Sequence, residues 1–190
     1  FNKVIKMGRT QLQDAVPIRL GQEFHSYATA IRRDINRFDR AKDEMRNLNL
    51  GGTAIGTGLN ADVQYFQRVV KNISLISGLE LVQAYDLIDA TQNLDGYCAC
   101  SGITKSCAVN LSKMSNDLRL MSSGPRTGLG EINLPAKQNG SSIMPGKVNP
   151  VIPEVVNQVA FNVIGNDLSV TMAAEAGQLE LNAFEPIIFY

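Results

Sequence analysis

The stretch Gly140-Ser141-Ser142-Ile143-Met144-Pro145-Gly146-Lys147-Val148-Asn149-Pro150 carries two hydroxyls, one ammonium group and one amide, but no histidine, cysteine or carboxylate. A serine that works as a nucleophile or base needs an activating neighbour, and none is adjacent in sequence. What the stretch does offer is anion binding. Gly140 and Gly146 allow the backbone to come close to a ligand, while Pro145 and Pro150 restrict the segment. Lys147 and Asn149 stand on either side of Val148. A helix predicted to start after Pro150 presents free N–H groups and the positive end of its dipole to the same region. Asn139-Gly140 is a strong turn dipeptide. These residues describe an anion-binding loop with a serine at its rim, or a mobile connector, and loop length alone does not separate the two.

Other chemical motifs are weaker. Gly56-Thr57-Gly58-Leu59-Asn60-Ala61 matches a dinucleotide-binding glycine pattern, but that pattern must follow a strand and be followed by an acidic residue about 20 positions later. Here a long helix precedes it and the corresponding position is Leu81, so a helix-breaking turn is expected. Neither glycine-rich segment ends in the Gly-Lys-Ser/Thr of a phosphate-binding loop. His25 sits on a helix between core-facing and outward positions and reads as structural or surface-exposed. Cys98, Cys100 and Cys107, with that lone histidine far away, make a poor zinc pattern. They read as small apolar-face residues in a reducing cytosol. The Asn-x-Ser sequons at Asn72, Asn110 and Asn139 carry little meaning without a secretion signal.

The positioning elements follow from periodicity. The 190 residues include 18 basic and 18 acidic side chains, a balance with no footprint for nucleic acid or an anionic membrane surface. No apolar run approaches the roughly 20 residues of a membrane-spanning helix. From Leu20 to Leu48, Leu20, Phe24, Tyr27, Ile31, Ile35, Phe38, Ala41 and Met45 recur in helical steps, with Pro17 suited to the helix start and Gly51-Gly52 ending it. A second stripe runs Ile103, Cys107, Leu111, Met114, Leu118 and Met121 and stops at Gly124-Pro125. A third runs Ile152, Val155, Val156, Val159 and Val163, with Pro153 and Glu154 in its first turn. Asp62–Ile76 and Ala84–Cys100 read as shorter helices, and strand-type alternation is almost absent. Single-stripe helices gain their stability by packing, so an all-α long-helix bundle is predicted. Between the second and third stripes, residues 124–150 hold five glycines and four of the seven prolines, an uncommon length of loop for a compact domain that is usually either functional or disordered. The chain opens on Phe1 without methionine and ends on the apolar run Phe184–Tyr190, which suggests a piece of a longer chain or burial by other subunits.

The pattern Gly-Ser-Ser-x-Met-Pro-x-Lys-x-Asn-Pro at 140–150 resembles the signature loop of the aspartase/fumarase superfamily. The stretches Gly8–Ala15, Asn49–Asn60, Asn116-Asp117-Leu118-Arg119 and Ser123-Gly124-Pro125-Arg126 agree in order, so the resemblance runs from end to end. Thr10-Gln11, where fumarases have Thr-His, and Asn157–Asn182 place the chain nearer the ammonia-lyase branch than the fumarase branch. The resemblance implies a central helical domain over 1–190, with 124–150 as its catalytic loop. It implies four copies assembling into a helical core with shared active sites. The reaction implied is elimination of ammonia from L-aspartate to give fumarate, with fumarate hydration, or a structural crystallin-like protein of the same fold, as the alternatives. In that family Ser141 is the general base. Ser142, Lys147 and Asn149 hold substrate carboxylate, and Lys147 faces the enediolate. Thr10 and Gln11 reach substrate from another subunit, and Glu154 is a supporting acid. No cofactor is implied. Some relatives are activated by divalent cations, although nothing in the sequence resembles a metal site. The family's Gly-x-Ser-Thr-Asn-Met-Asn motif and C-terminal domain are not in these 190 residues, so the chain alone is expected to be inactive.

Overall fold

A computed structural model describes residues 1–190. The chain opens with an antiparallel hairpin, β1 (Ile5–Thr10) and β2 (Gln13–Arg19), and passes directly into α1 (Leu20–Glu44). A two-residue strand β3 (Asn47–Leu48) leads through a glycine-rich turn to α2 (Val63–Ser77), and β4 (Val82–Gln83) returns to pair with β3 in parallel. One turn of helix, α3 (Asp89–Gln92), precedes α4 (Asp95–Met121). Residues 122–150 are irregular, and α5 (Val151–Glu175) and the short α6 (Glu185–Phe189) complete the chain. Long helices dominate, as the 3.6-residue periodicities predict, and the all-α, long-helix reading stands.

The hairpin corrects the expectation that strands are almost absent. Its strands are mostly exposed and interrupted by Gly8 and Pro17, and apolar residues such as Ile5 and Val16 face outward, so no long β-branched run marks them. Pro17 pairs with Met7 inside β2 and does not open a helix. α1 ends at Glu44, not at Leu48, because Asn47–Leu48 are taken by β3. The helix expected over Ala84–Cys100 is broken: the Asp86 side chain accepts from the backbone N–H groups of Ile88 and Asp89, which starts a separate turn. The prediction for α2 holds. Asp62 caps it by accepting from Gln64 N–H at 2.7 Å, and Gly78 ends it in the left-handed conformation. The expected turn at the glycine pattern is also present. A Cβ on Gly56 would lie 2.4 Å from the backbone of Ile88, so only glycine fits there.

Two compact units are present. The first comprises residues 1–35 and 106–163, the second residues 36–105 and 164–190. Polar contacts hold the helices together inside each. In the first, Asn110 donates to both carboxylate oxygens of Asp34 at 3.0 and 2.9 Å, and Tyr27 donates to Asp117 at 3.0 Å. Burial, and then that hydrogen bond, push the Tyr27 phenol well above its ordinary range. Asn157, 3% exposed, donates to the carbonyl and hydroxyl of Ser112 and to Asn116. In the second unit Ser101 and Lys105 donate to Asp167 at 2.8 and 2.5 Å.

The face of α5 that these contacts bury was not the one expected. Pro153, Asn157, Ala160, Asp167 and Ala173 are buried, whereas Ile152, Val155 and Val159 of the predicted apolar stripe are exposed, each by more than half. Phe161, Leu168 and Met172 are exposed as well. The spacing identified the helix; which side faces inward was set by polar and small residues that match the neighbouring helix.

Candidate active site

The loop between α4 and α5 is tied to the end of α4. Gly130 N–H donates to Ser123 C=O, and Glu131 N–H to Met121 C=O, both at 2.8 Å, while the Ser123 hydroxyl accepts from Leu129 N–H. These bonds use carbonyls that a helix C-terminus leaves without partners. Farther along, the Ser141–Lys147 segment folds back on itself. Lys147 N–H donates to Met144 C=O at 3.2 Å, and a Cβ on Gly140 would lie 2.4 Å from the Lys147 carbonyl oxygen. Glycine at 140 is therefore a packing requirement of the closed loop.

Ser141 is held inside that fold. Its Oγ accepts from the backbone N–H groups of Ile143 at 3.2 Å and Met144 at 3.3 Å. Donors aimed at a hydroxyl oxygen favour its ionised form over the neutral one. Ser142 is exposed next to it.

Lys147 and Asn149 line a cleft of about 680 Å³, together with Arg119, Ser122, Ser123 and Asn133. No carboxylate lines it, so two cations face a space with no acidic counter-charge, which suits a small anion. Arg119 is oriented from below: its Nη1 donates to Asn157 Oδ1 at 3.3 Å. The Asn157 amide nitrogen is already committed to Ser112 and Asn116, which leaves its oxygen for the guanidinium. Arg119 and Asn157 lie in stretches read for their resemblance, but no spacing rule singles them out as cleft residues.

Glu154 is half-buried in the first turn of α5 and does not line the cleft. Ser141 and Ser142 are also outside its lining. Thr10 and Gln11 stand at the exposed end of the hairpin, again apart from the cleft. The turn joining β1 to β2 places both Gln11 (φ 52°) and Leu12 (φ 63°) in the left-handed region. Hairpin turns of this kind favour asparagine and glycine, and side chains such as these strain the backbone by about 1–2 kcal/mol each.

Behind that turn lies an ion cluster that the sequence did not reveal. Lys6 Nζ is 2.9 Å from Glu23 of α1 and 2.7 Å from Glu131 of the loop, and Arg9 Nη1 donates to the other oxygen of Glu131. Arg9 also lies 3.7 Å from Asp14 across the hairpin. Burial works against ionisation of Glu131, but hydrogen bonds from Lys6 and Arg9 and their charges outweigh it and hold the carboxyl below its ordinary range. Burial likewise opposes the charge on Lys6, and its two glutamate partners reverse the effect and raise it. No group of three or more His, Cys, Asp or Glu side chains converges as a metal site, and no helix is long and apolar enough to cross a membrane.

A family model described as Lyase matches residues 1–165. Aspartate ammonia-lyase of Bacillus subtilis (strain 168) is 60% identical over 190 residues, covering 100% of this chain and 40% of the relative. Aspartate ammonia-lyase of Helicobacter pylori (strain ATCC 700392 / 26695) is 63% identical, covering 100% of this chain and 41% of the relative. Among solved structures, the cobalt-bound fumarate lyase:delta crystallin from Brucella melitensis superposes with a TM-score of 0.95 at 60% identity, over 100% of this chain and 41% of that one. A class II fumarase from Schistosoma mansoni superposes with a TM-score of 0.91 at 36% identity, over 97% of this chain and 42% of that one. The chain thus spans about 40% of the length of the curated relatives it matches. With its helical architecture and its serine-lysine-asparagine loop, the chain belongs to the lyase family of the aspartase/fumarase superfamily.

Proposed function

We propose that the protein containing this chain is an aspartate ammonia-lyase, and that residues 1–190 form its central helical region with residues 124–150 as the catalytic loop. The observation that carries this reading is the pair of backbone N–H groups donated to Ser141 Oγ, at one end of a loop whose Lys147 and Asn149 line a cleft without carboxylates. The 60% identity to an aspartate ammonia-lyase supports the substrate.

In this reading Ser141, as the alkoxide, removes the proton from C3 of L-aspartate. An ordinary hydroxyl ionises far above neutral pH, and each unit of pKa corresponds to about 1.4 kcal/mol. The Ile143 and Met144 amides, the Lys147 ammonium and the N-terminal end of α5 supply that stabilisation together. The electron pair left on C3 spreads into the adjacent carboxylate as an enediolate, which Lys147 stabilises while Ser142 and Asn149 hold the oxygens. The C2–N bond then breaks, its pair leaves with nitrogen, and C2=C3 forms. An amine that enters as ammonium leaves as neutral ammonia, so this step requires no acid from the protein. Gln11 orients and does not transfer protons, Thr10 adds a substrate contact, and Glu154 supports the loop's helix end.

We further propose a homotetramer in which Thr10 and Gln11 of one copy serve the site of another. The exposed Ile152, Val155 and Val159 on α5 supply an apolar face suited to that assembly. The test is the whole protein and its Ser141→Ala variant, each assayed with aspartate and separately with malate. Loss of fumarate formation from aspartate with substrate binding retained is expected; near-normal turnover would remove Ser141 as base. Turnover of malate instead of aspartate would make the protein a fumarate hydratase. The 190-residue chain by itself is expected to form no fumarate from aspartate.

A further inference from the structure

The hairpin end that carries Thr10 and Gln11 is under conformational strain, and its immediate neighbour in the chain is clamped. Gln11 and Leu12 both occupy the left-handed region without being glycine or asparagine. Backbone of this kind persists only where its surroundings over-determine it, and such residues cluster at functional sites. Arg9, one residue before Thr10, has its guanidinium on Glu131 and near Asp14, and Lys6 on the same strand bridges Glu131 to Glu23. Both cations converge on one carboxylate whose side chain is only 14% exposed. That carboxylate belongs to the loop that continues to Ser141, and its backbone N–H is fixed to the C-terminus of α4.

We propose that Glu131 is a positioning residue: by clamping Arg9 and Lys6 it holds the Gln11-Leu12 turn in its left-handed form and sets the place from which Thr10 and Gln11 meet substrate. This rests on the reading above, in which those two residues are substrate contacts. Two separate features point the same way. The turn residues are the wrong types for their conformation, so something outside the turn must maintain it. A partly buried carboxylate between two cations is rigid, because breaking it leaves unpaired charge. Glu131 does not touch substrate in this scheme, and its effect passes through Arg9.

The whole protein carrying Glu131→Gln tests this. The expected result is a KM for aspartate raised about tenfold, equal to about 1.4 kcal/mol, with kcat changed far less. Adding Leu12→Gly to that variant is the decisive arm, since glycine adopts the left-handed region freely and a turn that holds its own shape no longer needs the clamp. Return of KM toward the parent value supports the proposal. An unchanged KM in Glu131→Gln, or a raised KM that Leu12→Gly does not lower, overturns it. Should Glu131→Gln fail to fold, Arg9→Gln, which removes one arm of the clamp, is read with the same rescue and the same criteria. Ser141→Ala, run in parallel, separates the two ideas. If it abolishes turnover while neither clamp variant moves KM, only the clamp is wrong. If it leaves turnover intact, the active-site reading itself has failed.

Discussion

The amide nitrogen of Asn157 lies 2.8 Å from the hydroxyl oxygen of Ser112, and both residues are buried, one on α5 and the other on α4. Asn157 also donates to the Ser112 carbonyl and to Asn116, and accepts from Arg119. Replacing it with leucine removes the shared donor and leaves buried acceptors without a partner. A buried group left unsatisfied costs about 1–3 kcal/mol, so Asn157→Leu is expected to lower the urea midpoint by an equivalent amount. Asn157→Asp is expected to be worse near neutral pH, because it turns a donor toward acceptors into a buried charge. Equilibrium unfolding of the three proteins gives the ranking.

In the whole protein, on the proposed role of Ser141, Gly140→Ala is expected to damage turnover far more than stability. The new methyl group would sit 2.4 Å from the Lys147 carbonyl oxygen, so the loop must open between Ser141 and Lys147. Displacing groups that stabilise developing charge costs about 100- to 1000-fold in kcat in comparable sites. The loop is exposed and outside the helices, so thermal unfolding should shift little. Steady-state kinetics and a melting curve on the same preparation check both halves.

Acid should weaken the α4–α5 contact in the second unit through Asp167. Burial opposes ionisation of this carboxyl, but hydrogen bonds from Lys105 and Ser101, and the Lys105 charge, outweigh it and hold it below the ordinary range. A carboxyl depressed on folding contributes stability that is present above the unfolded value, about 3.9 for aspartate, and is lost as pH falls through the folded value. Asp167→Asn should therefore be less stable than the parent at neutral pH, with the gap closing below about pH 4. Urea midpoints measured across that range test the sign.

The Glu131 cluster predicts a wider window. Its carboxyl is held low and the Lys6 ammonium high. The first contributes stability that is lost only in acid, and the second contributes stability that is lost as pH rises through its folded value, above about 10.4. Hydrogen exchange of the β1 and β2 amides should therefore be slowest, relative to intrinsic rates, between those limits. Faster opening of the hairpin at neutral pH than in mild acid would contradict this.

The helices were legible because their apolar spacing survives regardless of which side is buried. Leu20, Ala41 and Met121 are buried as their stripes imply. The loop carrying Ser141, Lys147 and Asn149 was legible as a break between helices because turn-forming residues and a helix start cluster there, whereas a role for those residues came only from the family resemblance. Other features were illegible for physical reasons. The hairpin contains glycine and proline, and its inward side is taken by the charged Lys6 and Arg9, not by an apolar alternation. Glu131 looks like any loop carboxylate until Lys6 and Arg9, more than a hundred residues earlier, fold onto it. The inward side of α5 depends on hydrogen-bond partners such as Ser112 and Ser101 that no single-helix pattern contains.

The outward-facing valines of α5 bear on how such a protein comes into being. On α5 the contacts inside the chain are made largely through asparagine, aspartate and alanine, which fix geometry yet remove little apolar surface from water. The apolar side chains of Ile152, Val155, Val159, Phe161, Leu168 and Met172 stay exposed, and burying them would contribute about 25 cal/mol per Å². If copies of the chain cover that surface, folding and association become one equilibrium, and resistance to unfolding rises with protein concentration. Dilution would then act on this protein as a denaturant.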